Sequence, residues 1–139
     1  SGNMKALVDT NVIVQKGLDL LGLLKGKNLD PTFTDLVIAE LICAIRQKAM
    51  DYFKKNKKEL ANKYIYFGKL FLEELRLNKV ILVAPTLEDL AEAYELTFAR
   101  DVDGVDAVLA VIAKRANAKV LSNDKDFDRL KDYVERVEL

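Results

Sequence analysis

The chain has 139 residues, half of them apolar, which is typical of one globular domain with a substantial core. It contains 22 basic and 22 acidic residues, no histidine and one cysteine, Cys43, which we expect to pack in the core. These counts exclude catalytic histidine dyads, histidine-ligated zinc, internal disulfides and cysteine-rich metal sites. An enzyme of this composition would use carboxylates, lysines, hydroxyl groups and bound metal for catalysis.

We expect one domain over residues 4–139, preceded at residues 1–3 by a short cloning remnant. The longest apolar run, 36–45, is interrupted by Glu40 and is far shorter than the ~20 residues needed to cross a bilayer. The sequence therefore predicts a protein without a membrane segment, located in the cytoplasm.

The first part of the chain predicts short strands and helices in alternation. An apolar run at 5–9 predicts a buried strand, and near-helical spacing over 11–27 predicts the helix that follows. A proline break then leads to a very short strand at 32–34. A polar capping residue precedes the next predicted helix, 36–45.

The middle of the chain is dominated by helical patterns. Residues 46–78 are charged and free of proline, and they predict a basic helix pair that breaks near 55–57. A β-branched run predicts a strand at 80–84. A capping signal then begins a helix over 87–98, and a largely buried helix is predicted over 101–116.

The chain ends with a predicted strand at 119–122, a short helix at 126–132 and a last strand at 133–137. Strands that alternate with helices predict an α/β fold. The expected architecture is a central, mostly parallel, twisted sheet of about four to five strands with helices on both faces.

The zero net charge conceals a separation of charge along the chain. Residues 46–79 contain ten basic and four acidic residues, a net charge of +6. Residues 80–139 contain eight basic and thirteen acidic residues, a net charge of −5. A lysine-rich segment alone is typical of a solvated helix face, but beside an acidic site it also fits an enzyme that acts on nucleic acid.

Four acids occupy positions where burial disfavours a charge. Asp9 ends the first strand, Glu40 interrupts an apolar helix, Asp106 precedes an apolar stretch and Asp124 follows a strand. Each alone is explained by a cap, a turn or an exposed lane of a helix. Together they would repel one another, which a hard cation such as Mg²⁺ or Mn²⁺ relieves. Asp103 and Asp106 are three residues apart, which places them on one face of a helix, so both side chains can reach the same site.

Four segments carry a family resemblance: Val8-Asp9-Thr10-Asn11-Val12, Glu40 in Ile-Ala-Glu-Leu-Ile, Asp106-Ala-Val-Leu-Ala-Val-Ile-Ala, and Ser122-Asn-Asp124-Lys-Asp-Phe127. Together, in this order, they resemble the PIN domain, and most closely the VapC-like toxins and their archaeal relatives. The resemblance spans residues 5 to about 127.

This resemblance implies metal-dependent cleavage of RNA. The residues that it implies are an acidic quartet of Asp9, Glu40, Asp106 and Asp124, an accessory Asp103, and Thr10 or Asn11 as hydrogen-bond partners. It also implies a homodimer and, for the toxin branch, a partner antitoxin. The segment 46–78 is longer and more basic than in many such toxins, which leaves the substrate and the fit of an antitoxin open.

Lysines of the basic segment are expected to bind RNA phosphates without reading sequence. Tyr66 lies off the apolar stripe and is the aromatic residue expected to stack on an unpaired base. The expected RNA-binding residues are Lys54, Lys55, Lys57, Lys58, Lys63, Tyr66 and Lys69.

We interpret the sequence as a Mg²⁺- or Mn²⁺-dependent endoribonuclease, the toxin of a toxin–antitoxin pair. The alternatives are a housekeeping RNA-processing nuclease of the same fold and a non-catalytic PIN-like module for RNA binding or assembly. A haloacid-dehalogenase-like phosphatase is disfavoured, because it needs a second aspartate two residues after the first, where this chain has Asn11.

Overall fold

Four parallel strands form the central sheet of the computed structural model, which describes residues 3–139. Ser1 and Gly2 of the expected cloning remnant lie outside the described residues. The strands are β1 (Met4–Val8), β2 (Leu29–Thr32), β3 (Lys119–Leu121) and β4 (Arg136–Val137). They lie in the order β2-β1-β3-β4, and every neighbouring pair is parallel. The predicted α/β fold with a parallel sheet is confirmed.

Six α-helices connect the strands. They are α1 (Thr10–Lys16), α2 (Leu20–Gly26), α3 (Asp35–Lys54), α4 (Lys58–Leu77), α5 (Leu87–Arg100) and α6 (Gly104–Arg115). Two 3-10 helical segments, Gly17–Asp19 and Lys125–Leu130, complete the elements. Among residues 3–139, none of the helices combines the length and the apolar character that a bilayer crossing needs.

The core forms around β1, β3 and α6. Ala6, Leu7 and Val8 of β1 are completely buried, as expected for a strand of a parallel sheet that is covered on both faces. Every residue from 107 to 113 in α6 is buried as well, which confirms the prediction of a helix that is apolar almost all round. The buried side chains of β1 and α6 therefore belong to the same hydrophobic core.

The helical pattern over 11–27 forms two α-helices instead of one. The chain turns at Gly17, whose φ of +62° lies in the left-handed region that favours glycine. The next strand also differs from its prediction, since β2 covers Leu29–Thr32 rather than 32–34. Pro31 is tolerated there because β2 is an edge strand.

The strand predicted at 80–84 is wrong. Val83 makes only a single parallel bridge to Thr34, and Ile81 is 87% exposed. A β-branched run favours extended backbone, but it forms a strand only where a sheet edge offers hydrogen bonds.

The predicted helix 36–45 and the first half of the basic pair form one continuous helix, α3. Thr34 caps this helix through its hydroxyl, which accepts a hydrogen bond from the Val37 N–H at 3.1 Å. The predicted break near 55–57 is confirmed, because α4 begins at Lys58. Cys43 is exposed rather than packed in the core, so that expectation is wrong.

Helices α5 and α6 are joined by the buried carboxylate of Asp89. It accepts hydrogen bonds from the Thr86 N–H at 2.9 Å and from the Arg115 guanidinium at 2.8 and 3.2 Å. The Thr86 hydroxyl accepts from the Asp89 N–H at 3.1 Å, which completes the predicted capping box. Burial alone raises the pKa of Asp89, but the hydrogen bonds from Thr86 and Arg115 outweigh it and lower that pKa.

Replacing Asp89 with asparagine removes the charge that Arg115 faces. We expect Asp89→Asn to lower the free energy of unfolding at pH 7 by about 2–3 kcal/mol, as for a buried, hydrogen-bonded charge. Because the folded-state pKa of Asp89 is lowered, the stabilisation is present above the unfolded pKa near 4 and is lost as the pH falls through the folded value. Urea unfolding at several pH values measures both effects.

The matched control is Glu73→Gln, which removes the exposed ion pair between Glu73 and Arg76. We expect this variant to change the free energy of unfolding by no more than about 0.5 kcal/mol. Equal losses in the two variants would contradict the role assigned to Asp89.

Candidate active site

An open pocket of about 580 Å³ lies at the edge of the sheet where β1 and β3 end. Parallel sheets bind ligands at this edge, beyond the carboxyl ends of their strands. Six carboxylate residues line the pocket: Asp9, Glu40, Asp103, Asp106, Asp124 and Asp126. The structure thus brings together all five acids that the sequence singled out and adds Asp126.

Asp9 is the most deeply buried of these acids, with an exposed fraction of 6%. It caps α1, and its Oδ1 accepts a hydrogen bond from the Thr10 N–H at 2.8 Å. Its Oδ2 accepts from the Ser122 hydroxyl at 2.7 Å and from the Asn11 amide at 3.2 Å. Burial raises the pKa of Asp9, while the bonds from Ser122 and Thr10 lower it and the Asp124 charge raises it again.

Ser122 connects the ends of β1 and β3 through hydrogen bonds. No role was predicted for it from the sequence. Its fully buried hydroxyl donates to Asp9 and accepts from the Asp124 N–H at 3.0 Å and the Asn11 amide at 3.3 Å. The Asn11 side-chain oxygen accepts from the Asn123 N–H at 3.1 Å. The only sequence signal for Ser122 is a small hydroxyl residue between a buried strand and Asp124.

Glu40 reaches the pocket from α3. The Thr10 hydroxyl lies 3.1 Å from its Oε1 and 3.4 Å from the carbonyl oxygen of Val37. Burial raises the pKa of Glu40, Thr10 lowers it, and the charges of Asp9 and Asp103 raise it. Thr10 and Asn11 therefore hold two different acids of the pocket.

The remaining acids begin the helices that face the pocket. The Asp103 Oδ1 accepts from the Val105 N–H at 2.9 Å and caps α6. The Asp124 Oδ1 accepts from the Asp126 N–H at 2.9 Å and caps the 3-10 segment Lys125–Leu130. These two carboxylates serve as caps and line the pocket at the same time.

Asp106 is the acid of the pocket whose charged form the surroundings disfavour most. Its own burial raises its pKa to about 8, together with the charges of Asp9, Asp124 and Asp103 and a hydrogen bond shared with Asp124. The metal-free site therefore favours the protonated form of Asp106. Nothing comparable to Arg115 beside Asp89 is found here, because no lysine or arginine is among the described residues that line the pocket.

The donor set fits a hard divalent cation. The pocket offers carboxylate, hydroxyl and amide oxygens, and these are the ligands that Mg²⁺ and Mn²⁺ prefer. Among residues 3–139, no three acidic or thiol side chains already have the arrangement of a metal site. Carboxylates that face one pocket repel one another, and a bound cation would relieve this repulsion.

The expected RNA-binding residues lie outside this pocket. Lys54, Lys55, Lys57 and Lys58 are exposed at the tip of the hairpin formed by α3 and α4. Lys63, Tyr66 and Lys69 follow along α4, and Tyr66 is 60% exposed. Of these residues only Lys63 lines a cleft that shares a wall with the acidic pocket, through Val14.

Comparison with known proteins gives matches to one family. The family model for the PIN domain matches residues 6–133. No curated protein matches the chain significantly.

Among solved structures, the chain is similar to VapBC2 from Rickettsia felis bound to a DNA fragment from the promoter, with 18% identity and a TM-score of 0.62 over 98% of this chain and 99% of that one. It is similar to VapBC-1 from nontypeable Haemophilus influenzae, with 18% identity and a TM-score of 0.61 over 97% and 98% of the two chains. It also resembles a toxin–antitoxin complex from Klebsiella pneumoniae, with 13% identity and a TM-score of 0.53 over 88% and 89%. At these identities the likeness shows the fold.

The raised pKa of Asp106 predicts a stability that depends on pH. In EDTA, the folded protein should lose stability as the pH rises from the unfolded pKa near 4 to the folded value of about 8. Asp106→Asn resembles the protonated form and removes this loss. At pH 8 we expect the variant to be more stable than the wild type by about 1–2 kcal/mol, because solvent screens part of the repulsion in the wild type. Near pH 4 the two proteins should be equally stable.

Thermal unfolding at a series of pH values measures this difference. The matched control is Asp19→Asn, since Asp19 is exposed and does not line the pocket. A stability gain that is the same at pH 4 and pH 8, or that the control reproduces, would contradict the electrostatic explanation.

Proposed function

Because the chain belongs to the PIN domain family, we propose that it is a metal-dependent endoribonuclease that hydrolyses phosphodiester bonds of RNA. The observation that carries the proposal is the gathering of Asp9, Glu40, Asp103, Asp106 and Asp124 around one open pocket. A cluster of this kind is costly for the fold, as the pKa of Asp106 at about 8 indicates. Such a cost is typical of functional sites.

In this proposal Asp9, Asp106 and Asp124 hold the metal, and Asp103 is an accessory acid. The chemistry that a bound Mg²⁺ or Mn²⁺ supplies is activation of water for in-line attack and neutralisation of charge on the phosphate and leaving oxygen. Asp9 is fixed by three hydrogen bonds, so its carboxylate reaches the pocket in one orientation. Asp106 would have to give up its proton to act as a ligand, so metal binding would release a proton.

Glu40 has a different setting from the aspartates. The Thr10 hydroxyl donates a hydrogen bond to one of its oxygens, and the residue lines the pocket. Its raised pKa brings it closer to neutral pH, which suits a group that takes a proton from the attacking water. The proposal therefore assigns Glu40 either to the metal or to proton transfer.

The proposed biological role is that of a toxin controlled by an antitoxin protein. The similarity to VapBC complexes and to a toxin–antitoxin complex supports it. An apolar groove of about 330 Å³ between α3 and α4, next to exposed Ile42 and Ile65, offers a surface for a partner segment. A housekeeping RNA-processing nuclease of the same fold remains the second candidate.

We also propose a homodimer. The exposed face of α5 carries Leu87, Tyr94 and Phe98, with exposed fractions of 77%, 64% and 73%. They recur at helical spacing and form an apolar stripe, as expected of a surface that pairs with a second copy. The Tyr94 and Phe98 rings contact each other edge to face at 5.0 Å.

Cleavage of single-stranded RNA in the presence of Mn²⁺ tests the enzymatic proposal. We expect EDTA to abolish cleavage and Asp9→Asn to slow it by more than about 100-fold, because the variant loses a charged ligand in a fixed position. Ser122→Ala should lose about 10- to 100-fold by releasing the Asp9 carboxylate. Asp19→Asn serves as the control and should cleave like the wild type.

RNA loss that persists in EDTA and in Asp9→Asn would show a contaminating or different activity. No cleavage together with no effect of Mg²⁺ or Mn²⁺ on the melting temperature would favour the non-catalytic module.

Metal affinity should depend on pH, because the proton on Asp106 competes with the cation. We expect the affinity for Mg²⁺ to rise by up to about tenfold for each pH unit below the pKa of Asp106, about 8, and then to level off. Titration calorimetry at pH 7 in buffers with different ionisation enthalpies should detect the release of about one proton for each ion. An affinity that is constant between pH 6 and pH 8 would contradict the assignment of Asp106 as a ligand.

A further inference from the structure

A second, smaller cleft lies beside the acidic pocket. Its volume is about 210 Å³, and its lining residues are Val14, Gly17, Lys63, Tyr64 and Phe67. Val14 lines both cavities, so the cleft opens next to the carboxylates. It is formed where α4 packs against the 3-10 segment Gly17–Asp19 that follows α1.

Tyr64 gives this cleft an aromatic wall that is already fixed in position. Its ring stacks on Tyr52 of α3 with centroids 5.7 Å apart and an angle of 22° between the planes. The Lys48 ammonium lies 5.6 Å from the centre of the same ring. A half-buried ring held in this way loses little conformational entropy when a flat ligand packs against the part that lines the cleft.

The acidic pocket and the neighbouring cleft carry side chains of opposite charge. The acidic pocket repels phosphate, and none of its described lining residues is a lysine or an arginine. Lys63 lines the neighbouring cleft and is exposed. Its ammonium group is therefore hydrated in the free protein and accessible to a phosphate. A nucleotide that spans both cavities would therefore find an aromatic ring and a cation beside the carboxylates.

We propose that this cleft binds the unpaired nucleotide next to the cleaved phosphodiester bond, with its base against Tyr64 and its phosphate paired with Lys63. The inference rests on the proposed nuclease function and names single-stranded RNA as its substrate. A cleft of about 210 Å³ is smaller than a drug-sized pocket and has room for one base, not for a base pair. Tyr66, which the sequence favoured for stacking, lines neither cavity.

Binding of a fluorescently labelled single-stranded oligouridylate in EDTA tests the proposal without cleavage. We expect Tyr64→Leu to weaken binding about tenfold, the typical effect of removing one stacked base contact. Tyr64→Phe keeps the ring and should bind like the wild type. Tyr66→Leu tests the residue that the sequence favoured for stacking, which does not line the cleft, and its affinity should change by less than about twofold.

Salt dependence tests the phosphate contact separately. Lys63→Gln should reduce the slope of log K against log salt by about 0.7, the value for one phosphate contact to a single strand. Lys27→Gln is the control, because Lys27 is exposed at the end of α2, at the edge where the strands begin. Melting temperatures confirm that each variant is folded.

An RNA series with one abasic nucleotide at each position provides a test on the unaltered protein. In the presence of Mn²⁺, removal of the base next to the cleaved bond should raise KM about tenfold, and the same change should have no further effect in Tyr64→Leu.

The outcomes separate the two proposals. If the wild type neither cleaves nor binds single-stranded RNA, the nuclease function fails and the subsite with it. If the wild type cleaves, but Tyr64→Leu and Tyr66→Leu bind RNA equally well and no abasic position near the cleaved bond matters, only the subsite is overturned.

Discussion

The burial of the Asp9 carboxylate is the constraint on which the rest of the site depends. A buried carboxylate is tolerated only when hydrogen bonds replace the water it has lost. Asp9 obtains them from the first turn of α1, from Asn11 and from Ser122 at the end of β3. Because the Ser122 hydroxyl also accepts the Asp124 N–H, the group that satisfies Asp9 fixes the position of the acid on the neighbouring strand end.

Three acids of the pocket cap helices as well as contribute charge to it. Asp9 caps α1, Asp103 caps α6 and Asp124 caps the 3-10 segment Lys125–Leu130. A cap and a metal ligand are therefore not competing explanations for these residues. Asp106 caps nothing, and its burial beside the charges of Asp9, Asp124 and Asp103 raises its pKa to about 8. A site that favours the protonated form of this one acid reduces the repulsion within the cluster, and a bound cation would shift it towards the charged form.

The sequence predicted those features that depend on local pattern. The burial of β1 and α6, the capping box of α5 and the gathering of acids at strand ends follow from periodicity, cap chemistry and the geometry of parallel sheets. The strand at 80–84 failed because a β-branched run does not reveal whether a sheet edge is available nearby. The contact between Ser122 and Asp9 joins residues 113 apart in sequence, and no local signal specifies it. The stack of Tyr52 on Tyr64 likewise depends on how α3 and α4 pack, which their apolar spacing alone leaves open.

The separation of charge within a neutral chain would have two opposite effects on the RNA substrate of the proposed function. The lysines at the tip of the α3–α4 hairpin attract phosphate, but this attraction falls off within about 10 Å at moderate ionic strength. The acidic pocket repels phosphate over a similar range, and the nearer cation, Lys63, lies in the adjoining cleft. Monovalent salt weakens the first effect, whereas divalent cations that bind the carboxylates reverse the second. Under the proposed function, capture of RNA and its alignment for cleavage should therefore respond to different ions, because they would depend on different surfaces of the same fold.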